Sequence, residues 1–135
     1  MTRGRFDHIT TTVPPELAQQ IREAVAAGEY LLSEHATEQM IHRNVSVSDL
    51  VAVVTTGTPI EYDNGEGEHV PGVLFNGLTS GGRPLHVKMS ERRRGRYLTW
   101  VVTVYIPEER YFEQNFSVRI STKTNTKTGK KGSRS

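Results

Sequence analysis

The feature that most constrains this chain is a change of hydrophobic period at Thr58. Before it, apolar residues recur at helical spacing; after it, short apolar runs alternate with polar residues between turn-rich breaks. Pro14-Pro15 and "ELAQQIREAVAAG" read as a helix, with Leu17, Ile21 and Val25 as its buried stripe and Gly28 as its stop. Ser33 is a natural N-cap for "EHATEQMIHR", and Ser46 or Ser48 for "DLVAVVTT", which Gly57 ends. From Thr58, "TPIEYD", "VPGVLFNGLT", "RPLHVKMS" and "RYLTWVVTVYIP" read as four strands, the last three joined by short turns. The expected architecture is α+β, with N-terminal helices packed on one face of an antiparallel four-stranded sheet.

Charge sorts the chain into parts. The net charge is +2, but Ser117 to Ser135 holds six cations and no acid, which leaves −4 for residues 1–116. A Ser/Thr/Gly/Lys segment of this kind cannot bury enough apolar surface to fold alone. We therefore expect an arm over residues 1–13, one domain over 14–116 and a disordered basic tail over 117–135. The tail is a solubilising end or a source of weak, salt-sensitive affinity for nucleic acid. No apolar run is long enough to span a membrane and the N-terminus lacks a signal-peptide core, so a cytoplasmic protein is expected.

Alternation places chemistry on the sheet. In the fourth strand Leu98, Trp100, Val102, Val104 and Ile106 share one face, and Tyr97, Thr99, Val101, Thr103 and Tyr105 the other. In the third, Leu85, Val87 and Met89 oppose His86 and Lys88. If the apolar faces lie under the helices, then His86, Lys88, Thr103 and Tyr105 gather on the open face. A hairpin through "ERRRG" would bring His86 close to Val101 or Thr103.

Several reaction classes fall away. With no cysteine there is neither a thiol nucleophile nor a thiolate metal site, and no serine sits in a GxSxG turn. His35 and His42 are about 10 Å apart along a helix axis, too far to share an ion, and His69 and His86 complete no metal motif. No metal or other cofactor is expected. Metal-free RNA cleavage fits the remaining residues, since it needs a base, an acid and cations near phosphorus but no protein nucleophile.

Three quoted stretches, "SEHATEQMIHRNVSVSDLVAVVTTGTPIEYD", "RPLHVKM" and "VVTVYIP", resemble a widespread, little-characterised family of small prokaryotic proteins. The match covers about residues 30–107. That family is grouped with the barnase–EndoU–colicin–RelE-like fold, whose members are metal-independent ribonucleases and toxins, many neutralised by an antitoxin. The resemblance implies that His35, Arg43, His86, Thr103 and Tyr105 are the family positions. The chain departs from the pattern at Gln39, where the family often has a basic residue.

The expected function is a toxin-type endoribonuclease cleaving RNA by 2′-hydroxyl attack. His35 and His86 would move protons, Arg43 and Lys88 would stabilise phosphate, and Tyr105 with Thr103 would position or act as acid. Arg92, Arg93 and Arg94 would add RNA contacts or merely keep a hairpin tip soluble. The rival expectation is a catalytically silent RNA- or protein-binding module on the same fold.

Overall fold

A computed structural model describes residues 7–109, 112–113 and 116–119. Helix α1 spans Pro15–Ala26, with Pro15 at its first position, where a missing N–H costs nothing. Helix α2 spans Glu34–Arg43; Ser33 Oγ accepts from the Ala36 N–H at 2.9 Å. It ends at Asn44 in the left-handed region, and Arg83 donates to the carbonyls of Arg43 and Asn44 at 2.9 and 2.8 Å. Two of the acceptors orphaned at a helix C-terminus are thereby satisfied. Helix α3, Val47–Thr56, starts with a reciprocal capping box between Ser46 and Asp49. Gly57 follows because a Cβ there would run into the carbonyl oxygens of Val53 and Asn76.

The strands are β1 (Ile9–Thr10), β2 (Tyr30–Leu32), β3 (Thr58–Asp63), β4 (Gly72–Leu78), β5 (Pro84–Ser90) and β6 (Thr99–Tyr105). Their order in the sheet is β1-β3-β4-β5-β6-β2. Strands β3 to β6 form the expected antiparallel meander. The sheet nevertheless has six strands rather than four, and it is mixed, because β2 runs parallel to β6. At two and three residues, β1 and β2 are too short for a period of two to announce them. A separate two-stranded ribbon joins β7 (Phe112–Glu113) to β8 (Val118–Arg119). So Ile9 and Thr10, expected in an arm, pair with β3, and Val118 and Arg119, expected in the tail, pair with β7. Residues 120–135 of the tail lie outside the described residues.

Helix α3 crosses β4 and β5, α2 lies on β6, and α1 packs on α3. Ile21, Val25, Met40, Leu50 and Val53 meet Phe75, Leu85, Val87, Met89 and Val104 in one buried cluster. Each such side chain contributes roughly 1.5–3 kcal/mol by leaving water. Val101 is also in this cluster, and Trp100 and Val102 are not. Strict alternation had the reverse; a register shift between Lys88 and Met89, opposite Thr103 and Val101, breaks the period. Among the described residues no helix is long and apolar enough to cross a membrane.

Candidate functional site

The sheet face turned away from the helices is polar because β3, β5 and β6 each send charged or hydroxylated side chains to it. Glu61 and Asp63 come from β3, His86 and Lys88 from β5, Thr103 and Tyr105 from β6. Pairing sets His86 opposite Tyr105 and Lys88 opposite Thr103, whereas the expected neighbour of His86 is Val101 or Thr103, four or two residues away. A cavity of about 480 Å³ opens here, lined among others by His8, Asp63, His69, Lys88, Tyr105 and Arg119.

One side of the face is a closed relay. Arg119 donates to both carboxylate oxygens of Glu61, at 3.0 and 2.9 Å, and also hydrogen-bonds the Tyr105 hydroxyl. His86 is fully buried, with Phe112 edge-on to its ring at 4.5 Å. Its Nε2 lies 2.8 Å from the Phe116 carbonyl, which can only accept, so Nε2 carries the proton. Nδ1 is then the acceptor for the Tyr105 O–H at 3.1 Å. Phe116 reaches this position with a φ of 67°, a left-handed conformation rare for an aromatic residue. Burial pushes His86 down to about 4, offset in part by the Phe116 carbonyl and reinforced by the Arg119 charge. Burial pushes Tyr105 up to about 12, against the opposing pull of Arg119. Both groups are neutral at physiological pH and hold each other in place.

The other side centres on Asp63 and reaches solvent at His69. Lys88 Nζ sits 2.7 Å from Asp63 Oδ2, and His8 Nε2 lies 3.7 Å from the same oxygen. Asp63 Oδ1 accepts from the Gly65 N–H at 2.8 Å, which fixes the carboxylate. The rings of His8 and His69 stack at 3.6 Å with their planes 6° apart. Burial holds His8 below its usual range, the Asp63 carboxylate partly countering it.

The structure brings His86, Lys88, Thr103 and Tyr105 together but leaves the α2 candidates apart. His35 and His42 are exposed, and neither His35 nor Arg43 lines the cavity. Gln39 is the α2 residue that reaches the sheet: its Oε1 accepts from Thr103 Oγ1 and the Val104 N–H, both at 2.7 Å. It seals the edge of β6 where β2 has ended. The turn arginines are elsewhere too. Arg94 stacks on Trp100 at 4.1 Å, while Arg93 and Arg96 border a second cavity beside Glu23 of α1 and Glu29 just before β2. Arg92 is exposed, its N–H held by Ser90 Oγ.

Sequence reasoning missed His8, Glu61, Asp63, His69 and Arg119. The carboxylates were readable, since Glu61 and Asp63 alternate with Ile60 and Tyr62 in "TPIEYD". His8 and Arg119 were not, because each enters from a segment that composition marks as solvated.

No curated protein and no solved structure matches the chain. Residues 32–106 match a family described as a domain of unknown function, DUF4258. That span contains α2 to β6, hence His86, Lys88 and Tyr105, but excludes β1 and the β7–β8 ribbon. The chain belongs to the DUF4258 family.

Proposed function

We propose that the protein is a metal-independent endoribonuclease of the toxin type, related to the barnase–EndoU–colicin–RelE-like enzymes and acting on RNA in the cytoplasm. The observation that carries the reading is one cavity of about 480 Å³ lined by two cations, two hydroxyls and two histidines, with the carboxylates Glu61 and Asp63 beside the cations. Its volume suits one nucleotide. RNA brings its own nucleophile, the 2′-hydroxyl, so a site of this composition needs only to move two protons and steady the charge on phosphorus.

In this reading Lys88 and Arg119 face the non-bridging phosphate oxygens, and Tyr105 and Thr103 orient the sugar. One imidazole of the His8–His69 pair takes the 2′-hydroxyl proton and the other protonates the departing 5′-oxygen, leaving a 2′,3′-cyclic phosphate. Each proton transfer contributes about 10²- to 10⁴-fold. His86, buried with both nitrogens engaged, acts as a positioning residue that holds the Tyr105 hydroxyl. His35 and Arg43 serve the helix surface and its end. A neutralising partner protein accompanies a toxin of this kind.

A second reading, a silent RNA- or protein-binding module, is favoured by one observation. Both cations are already paired, Lys88 with Asp63 and Arg119 with Glu61. RNA incubated with the purified protein in EDTA separates the two. Fragments ending in 2′,3′-cyclic phosphate that vanish in His69→Ala and Lys88→Ala support the enzyme. RNA retained without cleavage supports the module, and cleavage equal in all variants refutes the site.

A further inference from the structure

We propose that His8, Asp63 and His69 form a binding site for one divalent transition-metal ion, with zinc the best match. The inference goes beyond the RNA reading and does not depend on it. One ligating atom from each residue lies within 4.8 Å of the others. Two imidazoles and one carboxylate suit zinc and its neighbours, whereas magnesium and calcium take all-oxygen sites.

Two of the three ligands, His8 and Asp63, are held by backbone pairing rather than met by chance on a mobile surface. His8 precedes β1, whose Ile9 pairs with Asp63, and the Asn64 N–H donates to the His8 carbonyl at 2.9 Å. Asp63 is buried, and the Gly65 N–H on Oδ1 leaves Oδ2 turned toward His8. That N–H is the kind of outer partner that orients a metal-binding carboxylate. His69 is exposed in the β3–β4 connection, so its ring is free to turn. Turning is required: an ion must lie in the plane of each imidazole that binds it, and two parallel rings stacked at 3.6 Å cannot both meet that condition for one ion. The rings splay as the ion enters. All three residues border the same cavity, which leaves room for water to complete the coordination.

Lys88 is the competitor, its ammonium 2.7 Å from the Asp63 oxygen that the ion needs. The site is therefore a choice between an ammonium and a metal ion at one carboxylate. An ion bound there occupies both imidazole lone pairs, so zinc also inhibits any reaction that uses His8 and His69 for proton transfer.

The full chain, stripped with EDTA and dialysed, is titrated with zinc chloride by calorimetry, with cobalt(II) as a spectroscopic probe of histidine ligation. One equivalent of zinc is expected, unaffected by excess magnesium. His8→Ala, Asp63→Asn and His69→Ala should each weaken binding by more than the roughly 10- to 100-fold that an outer partner costs. His35→Ala and His42→Ala should leave it unchanged, and Lys88→Met should tighten it at least about tenfold, because the competing charge is gone. Circular dichroism confirms folding; His69→Ala, at an exposed loop position, is the variant least exposed to that objection. Zinc binding that persists in His69→Ala, an affinity unmoved in Lys88→Met, or no saturable binding at all overturns the proposal.

Discussion

Replacing His86 with phenylalanine tests whether the β7–β8 ribbon truly closes over the sheet. The wild-type ring is fully buried and neutral, with its pKa lowered from 6.5 to about 4. Between those values the unfolded chain binds a proton that the folded chain refuses, so stability rises with pH across this window. A displacement of that size corresponds to about 3 kcal/mol, fully present above pH 6.5 and lost as pH falls to 4. Phenylalanine keeps the contact with Phe112 but cannot titrate, and it leaves the Tyr105 O–H without its acceptor and the Phe116 carbonyl without its donor. At pH 7 the variant should be less stable by about 2 kcal/mol, from the two lost bonds and the burial of their partners. At pH 4.5 the two proteins should be nearly equal or reversed in order. Urea unfolding followed by the fluorescence of Trp100, the chain's one tryptophan, measures both proteins at each pH. A wild-type minus variant difference that stays constant from pH 7 to 4.5 refutes the reasoning, since it means that His86 accepts protons within the fold.

Two further outcomes follow from neighbouring contacts. Arg119→Ala leaves the buried Glu61 carboxylate without its bidentate partner and should cost about 3 kcal/mol, the low end for a broken buried pair because Arg119 is itself partly exposed. Thermal unfolding measures it, and Arg119→Met with Glu61→Gln should recover part of the loss; a change below about 0.5 kcal/mol would class the pair with ordinary surface bridges. Gln39→Leu removes the acceptor for Thr103 and Val104, costing about 1–2 kcal/mol and speeding hydrogen exchange at the Val104 amide. Unchanged exchange there would deny Gln39 its role at the strand edge.

What the sequence made legible was local. Ser33, Ser46 and Gly57 mark helix ends through bonds or clashes within a few residues, and all three stand where their chemistry suggests. The meander from β4 to β6 followed from alternation and short turns. The misplacement of Val101 came from one irregular step beside Met89, which a strict period of two cannot foresee. The site was half legible for a similar reason. His86, Lys88, Thr103 and Tyr105 follow from strand register, but Arg119 meets Glu61 across 58 positions and sits in a stretch that looks solvated. His8 enters by a two-residue strand, too short to show a pattern. Motif and helical flank point to His35 and Arg43, but packing sends Gln39 to the sheet instead.

The central claim is that the far-face cavity cleaves RNA without metal. Its most direct measurement is the product of RNA incubated with the protein in EDTA, compared with Lys88→Ala and His69→Ala. The account predicts fragments ending in 2′,3′-cyclic phosphate from the wild type, reduced on the order of 10²-fold or more in His69→Ala. Intact RNA with the folded wild type, or equal cleavage by all three proteins, would contradict it.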